Sequence, residues 1–149
     1  MPPARESRQT AMKQYSFSKP EHLCLKSDIE ALFSAGSHAM TVYPLRAVCR
    51  RVSHTSGPQV QVLLSVAKRR LHHAVDRNRA KRQLREAYRR KKHVLLGALP
   101  PGVGLHVAFV WLSERPEPSH KVEARVVTLL GRMREYVSSS AVPAAAAED

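Results

Sequence analysis

A chain of 149 residues is about the modal size of a single domain, so a second independent core is not expected. Lys and Arg number 25 against 12 Asp and Glu, a formal charge of +13, and such a field calls for a polyanionic partner. Aromatic residues make up only 5%. That is too few for a sheet that stacks bases on several exposed rings, so contacts to phosphate and to RNA shape are favoured. No run approaches the roughly 18 apolar residues that a membrane span requires. The opening MPPARESRQTAMKQYSFSKP lacks the apolar core of a secretory signal, so a cytoplasmic protein is expected. Cys24 and Cys49 cannot supply a disulfide framework or a zinc site by themselves, and no CxxC or HExxH spacing occurs. Both read as free thiols packed as small apolar groups.

In chain order, residues 1–20 mix Pro, Arg, Ser and Gln without periodicity and read as a flexible basic arm. Leu23, Cys24, Leu25, Ile29, Leu32 and Phe33 recur at helical spacing, with Ser27 and Asp28 placed to cap and Gly36 to stop a helix of about two to three turns. Thr41 to Val52 is rich in β-branched and aromatic residues and reads as one strand, with Pro44 at an edge or bulge. HTSGP is a turn and Gln59 to Val66 a second strand; together the two predict an antiparallel hairpin. Ala74 to about Leu95 is a long helix ended by Gly97 and the Pro100-Pro101 pair. Gly104 to Ser113 is the most apolar stretch, the pattern of a strand in the middle of a sheet. Val122 to about Val137, preceded by Ser119, closes the domain as an amphipathic helix, and residues 138–149 (SSSAVPAAAAED) read as a disordered tail. The folded domain is therefore expected over 21–137, with no internal repeat.

The chemistry concentrates between Lys68 and Lys92, KRRLHHAVDRNRAKRQLREAYRRKK, where 12 Lys or Arg face only Asp76 and Glu86. At about 100° per residue, Arg77, Lys81, Lys92, Arg85, Asn78, Arg89 and Arg82 share an arc of roughly 140°, with Ala80, Leu84, Ala87 and Val94 opposite. A merely solvated charged face would intersperse acids at i, i+4. Here the like charges repel, and an anionic ligand that offsets the repulsion is the better account. Most of the cations are Arg, whose planar fork can grip two phosphate oxygens at once. Asn78 brings a donor and an acceptor among them, suited to a phosphate, a 2′-hydroxyl or a metal-bound water.

The run SVAKRRLHHAVDRNRAKRQLREAYR resembles the signature of the bacterial ribonuclease P protein subunit, through Ser65, Val66, Lys68, Arg69, Ala74, Val75, Arg77, Asn78, Arg79, Lys81, Arg82, Arg85 and Glu86. A weaker likeness extends over residues 22–137. The resemblance implies an α/β (α+β) two-layer sandwich with a mostly antiparallel sheet of about four strands and three helices. It would be like the second domain of ribosomal protein S5, with a left-handed βαβ crossover. It also implies a subunit that assists an RNA enzyme cutting the 5′ leader from precursor tRNA. Ribonuclease P RNA and precursor tRNA would be the partners, with no membrane and no required protein partner. The catalytic Mg2+ would be held by the RNA, with no cofactor on the protein and no catalytic side chain.

By position, Lys68, Arg69, Arg77, Asn78, Arg79, Lys81, Arg82, Arg85 and Arg89 would contact RNA, and Ile29, Phe33 and Ser65 would line a cleft for the single-stranded leader. Ile29 stands where many members carry Phe, which weakens base stacking there. His72 stands where Gly is common, and with His73 it reads as a cap on the turn rather than a phosphate ligand, no carboxylate lying near in sequence to orient either ring. Two other classes compete. A non-catalytic RNA-binding module, such as a ribosome-associated protein, fits the charge equally. An autonomous nuclease is disfavoured because Asp76, Glu86 and Glu114 are isolated and form no acid–base or metal constellation.

Overall fold

The computed structural model describes residues 19–34, 37–53 and 57–139; Gly36 and most of the basic arm and the tail lie outside them. A 3-10 turn at Lys19–Glu21 leads into α1 (Lys26–Leu32), then β1 (His38–Val42), β2 (Leu45–Ser53) and β3 (Val60–Ser65). Helix α2 (Ala74–Lys91), the one-turn α3 (His93–Leu96), β4 (Val103–Trp111) and α4 (Ser119–Ser139) complete the order. The four strands form one mixed sheet ordered β1-β2-β4-β3.

The stretch expected as one strand is two. Val42 pairs with Leu45, so Tyr43 and Pro44 form a tight turn between antiparallel β1 and β2. Pro44 sits where no ladder N–H is needed, and β-favouring residues on both sides hide the break. The expected hairpin between this region and Gln59–Val66 does not form. Strand β4 lies between them, antiparallel to β2 from Leu45↔Trp111 to Ser53↔Val103 and parallel to β3 from Val60↔Leu105 to Ser65↔Val110. The reason is burial: β4 is apolar on both faces, with Leu105, Val107, Ala108 and Phe109 fully buried, so it takes the interior of the sheet and leaves β3 at an edge. A parallel pair cannot be joined by a hairpin, and the β3–β4 connection runs through α2 and α3 as a βαβ unit. Gly102, at φ +84°, makes the turn into β4 in a conformation that favours glycine.

The two faces of the sheet carry unequal cores. On one, Leu45, Ala47, Cys49, Val60, Val62, Leu105, Val107, Phe109 and Trp111 pack with Ala80, Leu84, Ala87 and Tyr88 of α2 and with Val122, Val126, Leu129, Leu130, Met133 and Val137 of α4. On the other, Val48 and Ala108 pack with Leu23 and Leu32, while Ile29 and Leu63 close the edge, so short α1 covers only part of this face.

Helix α1 starts at Lys26, after Leu25 at the cap position with no side-chain cap, so Ser27 and Asp28 lie inside its first turn rather than capping it. Asp28 still complements the positive end of the helix. The helix expected to reach Leu95 breaks at Lys92, whose N–H still bonds the Tyr88 carbonyl at 2.8 Å. Gly97 ends the short α3 that follows. Helix α4 begins at Ser119 and includes it. Burial pushes the Cys49 thiol up to about 12, whereas Cys24, between the 3-10 turn and α1, is exposed and is not a core residue.

Candidate nucleic-acid interface

Helix α2 buries Ala80, Leu84, Ala87 and Tyr88. Tyr88 is not part of the apolar face expected from Ala80, Leu84, Ala87 and Val94. It falls about 20° from Arg77 around the helix, which brings the buried stripe up to that arginine. Arg77 is consequently half-buried, and its Nη1 donates to the carbonyls of Leu71 at 2.9 Å and His72 at 2.8 Å. It ties the approach loop to the helix from inside the first turn. His73 occupies the N-cap position without a side-chain cap bond, and His72 and His73 are both exposed, so the expected capping role is not what these rings do.

Around the helix from Arg77, Lys81 is half-buried and Arg85 exposed on the flank that faces the β3 edge. There His22, bridged to Val62, has its imidazole held below the usual range by burial and by the charge of Arg85. Asn78 and Arg82 stand exposed on the solvent crest. Arg79 and Arg82 also border a groove of about 660 Å³ against α4, together with Val75, Gln83 and His120. Lys68 and Arg69 project from the turn after β3.

The long-range fold supplies acids that the sequence run lacks, and it supplies them unevenly. Lys92 Nζ lies 2.6 Å from Glu21 Oε2, with both side chains buried. Arg90 Nε is 3.6 Å from Glu123 of α4, Arg89 pairs with Glu86 inside α2, and Arg70 is 3.8 Å from Glu114. Glu86 is held below the usual carboxylate range by its bond from Arg89. Lys68, Arg69, Arg77, Arg79, Lys81, Arg82 and Arg85 form no ion pair with a carboxylate among the described residues. These cations crowd the approach and the first three turns of α2, where the helix macrodipole is itself positive. Among the described residues Asp76 is the one acid in the first turn of α2, and it pairs with none of these cations.

A second surface lies on the sheet face beneath α1. Register sets three cross-strand rows there: Thr41, Arg46, Val110 and Ser65; Ala39, Val48, Ala108 and Leu63; and Arg50, His106 and Gln61. Apolar Val48, Ala108 and Leu63 make the middle row, and polar rows flank it. Ile29 is half-buried against this middle row, while Phe33, just past the end of α1, is 47% exposed. Ser65 ends β3 in the row that holds Arg46. The fold thus places Ile29 and Ser65 on this sheet face, with Phe33 exposed at the end of the helix that covers part of it.

Burial, and then Arg50, hold the His106 imidazole below its usual range, with Asp28 acting partly against them. Arg46, Arg50, Gln61 and His106 were not picked out from the sequence. The alternation Arg46–Val48–Arg50 carried the signal, because every second residue of a strand shares a face.

Comparisons with known proteins identify the family. The family profile for ribonuclease P matches residues 17–133. A ribonuclease P protein component from Porphyromonas gingivalis is 38% identical over 134 residues, covering 89% of this chain and 97% of that protein. One from Chlorobium phaeobacteroides is 35% identical over 108 residues, covering 67% of this chain and 74% of its own length. The solved structure of the RNase P protein from Thermotoga maritima superposes with a TM-score of 0.58 at 22% identity, over 75% of this chain and 96% of that one. That likeness speaks for the fold, and the sequence matches favour a ribonuclease P subunit over a plain RNA-binding module. The chain belongs to the bacterial ribonuclease P protein component family, the protein subunit of the ribonucleoprotein enzyme of tRNA 5′ maturation.

Proposed function

We propose that the chain works with two separate RNA surfaces. Lys68, Arg69, Arg77, Asn78, Arg79, Lys81, Arg82 and Arg85 bind the ribonuclease P RNA, and the cleft of Ile29, Phe33 and Ser65 holds the single-stranded 5′ leader of precursor tRNA. Arg89 belongs at the margin of the first surface, since Glu86 already holds its guanidinium. The observation that carries this reading is the cluster of cations without ion-pair partners over the first turns of α2. The backbone there offers no compensating negative charge, and phosphates do.

The cleft has the complementary design. Its apolar middle row and the Phe33 ring accept a base, while Arg46 and Arg50 in the flanking rows take the backbone. An apolar row and an exposed ring suit an unpaired base, so a single strand is the natural occupant.

Cleavage itself belongs to the RNA in this account. Among the described residues no three His, Cys, Asp or Glu side chains cluster to hold a metal ion; the reading assigns the Mg2+ of the holoenzyme to the RNA. The protein binds, orients and screens phosphate repulsion, and its place of work is the cytoplasm. No helix among the described residues is long and apolar enough to cross a membrane.

The test is cleavage of a 5′-labelled precursor tRNA at near-physiological magnesium by the protein, by a bacterial ribonuclease P RNA, and by both. The expected result is activity only, or far more, with both. Cleavage by the protein alone would overturn the division of labour.

A further inference from the structure

Among the described residues, two Phe, Tyr or Trp rings are more than a third exposed: Phe33 at 47% and Tyr43 at 57%. Phe33 has a place in the cleft; Tyr43 has none yet. We propose that Tyr43, Arg70 and Arg115 form a nucleotide site beyond the end of the cleft, with an RNA base stacked on the Tyr43 ring and the phosphodiester on the two guanidinium groups. The inference rests on the reading of the chain as an RNA-binding ribonuclease P subunit.

Three observations converge on this end of the sheet. Tyr43, Arg70, Leu112, Ser113, Glu114 and Arg115 line a surface cavity of about 390 Å³, room enough for one nucleotide. Its position continues the cleft: Thr41, Arg46, Val110 and Ser65 make the last cross-strand row, and Tyr43 and Leu112 stand two residues further along the chain from Thr41 and Val110. Lys68 and Arg69, next to Arg70 in the turn after β3, extend the same positive field toward α2.

The walls are also held before any ligand arrives. Arg125 Nε donates to the Tyr43 carbonyl at 3.0 Å, and the Leu112 N–H donates to the Pro44 carbonyl at 2.8 Å. The Ser113 hydroxyl lies 2.7 Å from Glu117 Oε2 and accepts the Arg115 N–H at 3.2 Å. Glu117 is buried and neutralised by Lys121 at 3.3 Å, which leaves the 80%-exposed Arg115 side chain largely to solvent, 3.9 Å from Glu117 at Nε. A backbone held on both sides of the Tyr43 ring and a fixed loop lose little freedom on binding. Glu114, 78% exposed and 3.8 Å from Arg70, is the one acid on the rim; a phosphate would displace it.

The RNA strand has two possible sources, the precursor leader and the catalytic RNA, and one experiment separates them. Wild type, Tyr43→Leu, Tyr43→Phe and Arg115→Ala proteins are titrated with ribonuclease P RNA. The reconstituted holoenzymes are then titrated with precursor tRNA and with mature tRNA, and thermal unfolding is recorded for each variant. Tyr43→Leu is expected to weaken one of these affinities by about five- to fiftyfold, with Tyr43→Phe close to wild type. Arg115→Ala is expected to weaken the same affinity and to flatten its salt dependence. Loss confined to precursor over mature tRNA identifies the leader as occupant. Loss of affinity for ribonuclease P RNA identifies the catalytic RNA instead. If Tyr43→Leu fails to fold, Arg115→Ala decides alone, because its side chain is exposed. Unchanged affinities for all three RNAs in Arg115→Ala and in a folded Tyr43→Leu would overturn the site while leaving the subunit reading intact. A wild-type protein that bound none of them would remove both.

Discussion

The two halves of α2 are written in the same letters and end in different states. Among the described residues, Arg77, Arg79, Lys81, Arg82 and Arg85 lie in the first three turns or so without carboxylate partners, whereas at the far end Arg89, Arg90 and Lys92 each meet one and Lys91 does not. The helix macrodipole deepens the contrast, since cations are favourable at the C-terminal end and unfavourable at the N-terminal end. A run of positive charge is thus not a single feature. At the far end Glu21, Glu86 and Glu123 offset three of the four cations; the opening turns carry unfavourable charge, which in the proposed reading an RNA backbone relieves.

Substitutions should break the two halves in opposite ways. The largest effect on stability is expected from Lys92→Ala, which takes the ammonium away from the buried Glu21 carboxylate and costs roughly 3–5 kcal/mol. Urea unfolding reads that loss, and the RNA affinity of the molecules that remain folded should be unchanged. Arg82→Ala is the converse. Stability should stay within about 0.5 kcal/mol because the side chain is exposed, while RNA affinity falls and its salt slope drops by somewhat under one unit. An unchanged slope would take Arg82 out of the phosphate contacts.

Phe33→Ala tests the second surface. Precursor tRNA should bind the holoenzyme at least about fivefold more weakly while mature tRNA is unaffected; equal losses for both would make Phe33 a packing residue. The smallest effect concerns pH. Burial keeps the folded His106 imidazole neutral below its ordinary range, so the unfolded chain takes up the proton first. That contribution is complete above about pH 6.5 and is lost as the pH falls toward the folded value. His106→Gln should therefore flatten the urea midpoint against pH across this window, and a curve as steep as the wild type would assign the acid sensitivity elsewhere.

What could be read from the chain alone follows the range of the forces involved. Helical periodicity is local, so α2 and α4 stand in the sequence almost to their ends, and the density of apolar residues over Gly104 to Ser113 places β4 inside the sheet. Strand neighbours are not local. Nothing between Val52 and Gln59 shows that β4 will enter between β2 and β3, and the Tyr43–Pro44 turn is masked by β-favouring residues on both sides. The Glu21–Lys92 pair joins positions 71 residues apart, so Lys92 reads as one more surface cation until the fold buries it. Tyr88 has the same lesson: its ring joins the core against Phe109, at 6.2 Å between centroids, and its burial turns the whole cationic arc. The assignment of Ile29, Phe33 and Ser65 to a cleft came through family resemblance. The register of β2, β4 and β3 puts Ser65 on the same sheet face as Arg46, Arg50 and His106.

The most direct measurement is the salt dependence of affinity for ribonuclease P RNA, compared between Arg79→Ala/Arg82→Ala/Arg85→Ala and Arg89→Ala/Arg90→Ala. The first set should remove about two to three units from the slope of log affinity against log salt, and the second less than about one. Equal losses per residue in the two sets, or a larger loss in the second, would contradict the division of α2 into an RNA-facing and a neutralised half.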